Sequence, residues 1–496
     1  MNKLVRNPFL NLLTPFKPTS MSKPTTISEL TTLFRSSIQP LPTISSPSFA
    51  PNFDTFASNR LILLGDGSHG TSEFYAARAE ITKRLISQHG FTIVALEADW
   101  PDAEALDRYV RQRPGRKAKI GGEVEGDADA SGKKRGRGSG SGRGSEEVFE
   151  AFKRFPTWMW RNTEMHDLIE WMREHNASLP PEKRVGIYGM DLYSLGTSIK
   201  AVIEYLDHID PVMATAARKR YGCLEPWVEE PQEYGLATVQ GMASCEGEIV
   251  AMLKDLLEKR LEYAAHPGNG EEFHSSEQNA YVVRDAERYY RAMYYSSAGS
   301  WTLRDSHMVD TLKRLMRYKT ERSKAVVWAH NSHCGDARHT AMGVRRREVN
   351  IGQLCRESFG AENVALIGCG THTGTVAAAS SWGDDMRVMR VKPSMRESWE
   401  RVAHETGVES FLLDLREGKM VREVREALGK EKQRLQRFIG VIYRPDTERV
   451  SHYSAADLVN QFDGYVWFDT TQAVKPLEVH QPKTALGDDE TYPFGL

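Results

Sequence analysis

Apolar positions along the chain follow two periods. Residues 61–64 form a short apolar run closed by glycines, and the stretch 71–89 places Phe74, Ala77, Ile81 and Leu85 on one face of a helix. This predicts strand, tight loop, helix. A second unit follows at 92–96, β-branched and apolar, with Glu97 at its end and Pro101 where a first helical turn tolerates proline. Two consecutive units of this kind predict a parallel sheet. Residues 185–188, continued by Gly189-Met190-Asp191, give a third strand, and 325–329 and 364–368 extend the sheet. Residues 438–443 and 465–468 read as late strands, and the aromatic-rich stretch 149–175 as helix. From 194 to 320 no run alternates or stays apolar like a strand, whereas 240–263 and 277–295 are amphipathic. The expected fold is therefore α/β: a central, largely parallel sheet flanked by helices, with a helical subdomain inserted over 194–320 as a lid.

Composition narrows this picture only locally. With 496 residues, 40% hydrophobic and 27% charged, the chain is an ordinary globular protein of more than one core or of one core with large insertions. A net charge of -2 gives no global attraction to nucleic acid or to an anionic membrane, and no apolar run is long enough to span one. A small-molecule substrate is the expected partner, and oligomeric state is not encoded in any pattern. The five cysteines are scattered without a C-x-x-C pair, which suggests a reducing, cytoplasmic setting. Lys3, Arg6, Lys17 and Lys23 with no acidic residue before Glu29 resemble a mitochondrial leader, the alternative location, although Pro8, Pro15, Pro18 and Pro24 oppose the helix such leaders form. Residues 1–50 are accordingly expected as a disordered or targeting-like tail, and 51–496 as the folded domain. Within it, residues 112–147 are Gly, Ser and charge, too polar to bury a core, and predict a disordered insertion.

The chemistry-bearing residues fall at the ends of the expected strands. Asp66 and His69 follow the first, Glu97 ends the second, Asp191 follows the third, and His330 and His333 follow the fourth. In an open parallel sheet the carboxyl ends share one edge, where ligands bind. Gly65, Gly67 and Gly70 permit a tight turn and close approach, and Ser68 or Thr71 can cap the next helix, so the loop has a structural explanation that does not need the imidazole of His69. Asp191 has a competing role as a helix cap near Ser194. The sequence contains no G-x-S-x-G elbow, no phosphate-binding P-loop and no H-E-x-x-H helix. The remaining chemistry is activation of water by a histidine oriented by a carboxylate.

At these positions the chain resembles the erythromycin esterase family. The resemblance is carried by Gly65-Asp66-Gly67-Ser68-His69-Gly70-Thr71-Ser72-Glu73-Phe74 with Arg78, by Ala95-Leu96-Glu97-Ala98, by Gly189-Met190-Asp191, and by Ala329-His330-Asn331-Ser332-His333. The stretch Gly440-Val441-Ile442-Tyr443-Arg444-Pro445 looks like a subgroup remote from the macrolide-resistance enzymes. The resemblance implies a hydrolase cleaving an ester or lactone without a cofactor. It implies His69 as the base that deprotonates water, Asp66 and Glu97 as its carboxylate partners, and Arg78, His330 and His333 as substrate or oxyanion contacts, with Glu73 and Asp191 among the substrate-binding residues. Asp66 stands where several members carry glutamate, so its contact to the imidazole is expected to pass through water.

Two other functions fit the same residues. His69, Glu97, His330 and His333 can be ligands of a divalent metal that generates hydroxide, or the cluster can hold a ligand without turning it over. Removal of residues 112–147 is expected to leave both melting temperature and turnover intact; loss of either on deletion would refute their assignment as a linker.

Overall fold

A strand that is apolar at every position must be covered on both faces, and the central strands of this protein are. The computed structural model describes residues 26–113, 151–265, 270–320 and 322–477. Its strands are β1 (Ile38–Pro40), β2 (Leu61–Asp66), β3 (Ile93–Asp99), β4 (Gly186–Asp191), β5 (Ala325–His330), β6 (Val364–Ala378), β7 (Arg387–Val391), β8 (Ser410–Asp414), β9 (Leu435–Arg437), β10 (Tyr453–Ala455) and β11 (Gly464–Thr471). Nine form one sheet in the order β1-β8-β11-β6-β2-β5-β3-β4, with β7 paired to β6. The run from β11 to β4 is parallel throughout, whereas β8, β1 and β7 join by antiparallel pairing.

Alternation divides the strands between two cores. Ile62, Leu64, Val94, Leu96 and Trp328 face one, and Leu61, Leu63, Ile93, Ala95 and Val327 face the other. Sequence order moves outward from β2 to β3 and β4, then returns to place β5 between β2 and β3. That return leaves the carboxyl ends of β2, β5, β3 and β4 side by side, the kind of edge where α/β sheets bind ligands.

Between β4 and β5 the described chain is helical and carries a third core of its own, including Leu206, Met252 and Tyr289. The last helix of this insertion, Ser297–Lys319, sends Met308, Leu312 and Leu315 into the core of the sheet. The insertion is thus anchored along one helix. Cys223 and Cys245 within it are joined as a disulfide with Cα atoms 6.1 Å apart, a pairing their scattered spacing did not suggest.

Several expectations need correction. The N-terminal tail ends earlier than residue 50: Ile27–Arg35 is a helix started by a Thr26–Glu29 capping box, and β1 pairs with β8. Leu30 and Phe34, four residues apart, supply the buried face that makes this segment part of the fold, and Phe34 stacks on Trp399. Of the stretch 149–175 only Thr163–Ala177 is α-helix among described residues, begun by the side chain of Asn162 accepting from Met165 N. Residues 438–443 make no ladder; Ile439 and Ile442 pair singly with Ser68 and Ala379 as the chain crosses the sheet edge. The insertion predicted over 112–147 lies outside the described residues from 114 onward, whereas Arg113 is fixed by Asp107, Glu271 and Glu272.

Gly70 shows how tightly the loop after β2 is seated. A Cβ there would stand 1.9 Å from the carbonyl oxygen of Ala377, while the Gly70 carbonyl accepts from Ala377 N at 3.0 Å. Neither Gly65, Gly67 nor Gly70 adopts a positive φ, so close approach rather than a left-handed turn explains them. Gly70→Ala is expected to lower unfolding stability by about 1–3 kcal/mol, the usual cost of overpacking, as measured by denaturant melts.

Candidate active site

Asp66 closes β2 and lies in register with His330 at the end of β5. Three residues on, the ring of His69 lines a cleft whose empty volume is about 600 Å³. Its Nδ1 stands 3.5 Å from Asp66 Oδ1, and Asp66 Oδ2 lies 2.7 Å from Arg78 Nη1. Burial works against the charged carboxyl, but Arg78 and then His69 hold its pKa below the ordinary value. Arg78 is itself buried, with its guanidinium 4.5 Å from the Tyr75 ring and 4.6 Å from the Trp328 ring. It fixes Asp66 and does not face the cleft as a substrate contact would. Asp66 meets the imidazole without a bridging group, at a distance that is electrostatic rather than a hydrogen bond.

Glu97 sits where the pairing of β3 with β4 shifts between Leu96 and Asp99, an irregularity that re-aims the side chains it carries. Its Oε2 accepts from His330 N at 2.9 Å, and its Oε1 lies 2.7 Å from Arg304 Nη2 and 3.2 Å from His333 Nε2. Glu97 is therefore committed elsewhere and is not the hydrogen-bond partner of His69. Arg304 also grips Asp191 with two bonds, Nε to Oδ1 at 3.1 Å and Nη2 to Oδ2 at 2.7 Å. This replaces the helix-capping alternative for Asp191. All of these groups are buried.

His333 is held on its other side by Asp305, whose two oxygens each lie 2.9 Å from Nδ1, and it stacks on Trp301 with ring centroids 4.3 Å apart. Burial disfavours its imidazolium, yet the charges of Asp305 and Glu97 raise its pKa to about 9. Arg304 Nη1 lies 3.1 Å from the same Nε2 that faces Glu97. His330 is the opposite case. Burial, reinforced by the neighbouring charge of His69, lowers its pKa to about 3. Its Nδ1 receives the Ser332 backbone N–H and lies 2.8 Å from the Ser332 hydroxyl, which places the ring proton on Nε2. That Nε2 has no hydrogen-bond partner among the described residues, and the ring lies 4.9 Å from that of His69.

The expected convergence of Asp66, His69, Glu97, Asp191, His330 and His333 is present. Glu73 does not share it: its Oε2 accepts from Gln472 N, and burial raises its pKa. Arg304, Asp305, Asp99, Asp102 and Arg154 were not among the expected site residues. A signal for Asp305 existed, since it continues the buried stripe Met308, Leu312, Leu315 backward toward Trp301, and a charge on such a stripe needs partners. The metal alternative fits poorly. His330 and His333 serve different neighbours, Glu97 is bound to Arg304, and among the described residues no group of three or more His, Cys, Asp or Glu is disposed to hold an ion.

Solved structures share the architecture. A succinoglycan biosynthesis protein is 20% identical with a TM-score of 0.68, covering 92% of this chain and 100% of its own. A Bacillus cereus protein is 19% identical with the same TM-score of 0.68 and the same coverages of 92% and 100%. A point mutant of the erythromycin esterase EreC in its open conformation is 15% identical with a TM-score of 0.60, covering 89% of this chain and 98% of its own. At such identities these likenesses speak for the fold. The erythromycin esterase family model matches residues 86–471, an interval that contains Glu97, Asp191, His330 and His333 and begins after the Asp66–His69 loop. Because that interval is well over half of the 496 residues, this chain belongs to the erythromycin esterase family.

Proposed function

We propose that the protein hydrolyses an ester or lactone by general-base catalysis, with His69 as the base. The carrying observation is an imidazole that lines the cleft, is backed by a buried carboxylate, and stands beside an unpartnered N–H donor. With Nδ1 turned to Asp66, Nε2 of His69 takes a proton from water as the water oxygen bonds to the carbonyl carbon. Asp66, kept ionised by Arg78, stabilises the imidazolium that results. The carbonyl oxygen gains the negative charge and is met by Nε2–H of His330. Collapse breaks the carbon–oxygen bond, and the proton passes from His69 to the departing alkoxide.

This assigns His330 as a neutral donor rather than a protonated one. A neutral donor retains its hydrogen bond without a like charge opposing the imidazolium of His69. Glu97, Arg304, Asp191, His333 and Asp305 are positioning residues that hold the strand ends and the His330 backbone. A histidine at the cleft backed by the buried Asp66–Arg78 pair suits proton transfer, and this favours turnover over binding alone.

His69→Ala and His69→Gln are each expected to reduce turnover of an ester or lactone, found by panel screening, by about 10²–10⁴-fold while leaving the melting temperature unchanged. Activity near wild type in either variant would refute the role. His330→Ala is expected to lower kcat by about 10²–10³-fold with little change in KM, the pattern of a donor used in the transition state. A rise in KM alone would instead make His330 a ground-state substrate contact.

A further inference from the structure

The run Arg345-Arg346-Arg347 has no part in the hydrolytic scheme. In the fold its first two members line a second cavity, with an empty volume of about 1030 Å³, that shares no lining residue with the cleft of His69. The helix Ala341–Arg346, β9, β10 and the short helix Glu448–Ser451 contribute to this lining, the last of them through Arg449.

The charge of the cavity is one-sided. Arg345, Arg346 and Arg449 line it, and none of the described residues that line it is a carboxylate. Arg345 donates from Nη2 to Gln433 Oε1 at 2.8 Å, and neither it nor Arg449 has an ion-pair partner among the described residues. Arg346 has a carboxylate nearby, Glu348 Oε1 at 3.8 Å. The carbonyl end of the helix Ala341–Arg346 gives Arg345 and Arg346 a local reason for their place, but none for Arg449, which comes from another part of the chain. A cavity lined by one sign of charge concentrates its field on an ion of the other. His452 is not a fourth cation: its Nε2 accepts from Arg444 N at 2.9 Å, its Nδ1 lies 3.2 Å from Phe438 O, and burial lowers its pKa to about 4.

Other lining residues are apolar and buried, among them Met342, Leu435 and Phe438. Guanidiniums match phosphate oxygens with paired, charge-assisted hydrogen bonds, and apolar side chains favour a guest with an apolar body over a bare ion. We propose that Arg345, Arg346 and Arg449, with Met342, Leu435 and Phe438, form a binding site for a soluble organic phosphate, an ester whose body is apolar or aromatic. The proposal does not depend on the hydrolase reading. The site is nevertheless one side chain from the histidines of the cleft: the Phe438 ring lies 6.0 Å from that of His330, and Met342 and Phe438 pack with Trp301, which stacks on His333. The rival occupant is an anionic membrane, since Val344 and Val450 beside the arginines are 69% and 79% exposed. The burial of Met342, Leu435 and Phe438 within a cavity favours the soluble ester.

The probe is phenyl phosphate, titrated calorimetrically into the full chain at fixed ionic strength, with inorganic phosphate and phenol as its two halves. Saturable binding of phenyl phosphate is expected, about tenfold or more tighter than that of either half, from burial of the ring together with pairing of the phosphate. Arg345→Gln and Arg449→Gln should each weaken it about tenfold, the scale of one charge-assisted contact, with the melting temperature unchanged because both side chains are exposed. Arg422→Gln, which removes an exposed arginine that does not line the cavity, should bind like wild type. No saturable binding, binding unchanged in both cavity variants, or an equal loss in Arg422→Gln would overturn the proposal. So would a chain that ignores phenyl phosphate yet binds phosphatidylserine vesicles and loses them in Arg449→Gln, which would assign the arginines to a lipid surface.

Discussion

The strand ends at the site are held by the buried guanidinium of Arg304. Arg304 lies between Glu97 and Asp191, so the ends of β3 and β4 are tied to a helix of the insertion by charge-assisted bonds inside the protein. Burying these ions costs several kcal/mol each before pairing returns it, and removing one partner would leave the others stranded. Such a cluster contributes little net stability. What it contributes is a link between the final insertion helix and the ends of two strands, through bonds to both carboxylates. The Glu97 bond to His330 N carries the constraint on to β5.

Two histidines three residues apart are pushed toward opposite charge states by this framework. His333 lies between two carboxylates, which favour its imidazolium; His330 lies against another imidazole in a desolvated position, which favours its neutral form. The pair therefore does not act as one unit, despite spacing that would suit a shared ion. Environments that push the ionisation of similar groups apart are characteristic of acid–base sites. Here they separate a positioning residue from a neutral hydrogen-bond donor.

The carboxylate–imidazole contact at His69 shows the same economy of structure. Asp66 is one methylene shorter than a glutamate would be, yet the 3.5 Å approach leaves it facing Nδ1 directly. The backbone makes up the difference. Gly65 and Gly67 lack the Cβ atoms that would strike Asn331 and the Cys369 carbonyl, and Asn331 in turn bonds both polar groups of the Cys369 backbone. A side chain thus fills the gap where β2 and β6 part, and the loop bearing His69 sits on that support.

The sequence by itself determined the period of each central strand, the helical character of 194–320, and the presence of Asp66, His69, Glu97, Asp191, His330 and His333 at strand ends. These are local properties: alternation, helical spacing and turn chemistry act between residues near in sequence. Partnership is not local. That Glu97 serves Arg304 and His330 instead of His69, that Arg78 turns inward to Asp66, and that Asp191 meets Arg304 instead of a helix end follow from which strands become neighbours. The order β2-β5-β3-β4 arises from the global packing of two cores on the sheet. The N-terminal helix shows the same limit, because its four-residue apolar pair is meaningful only once Trp399 is there to cover it. Tertiary structure alone decided charge states as well, since a histidine becomes cationic or neutral according to neighbours drawn from distant parts of the chain.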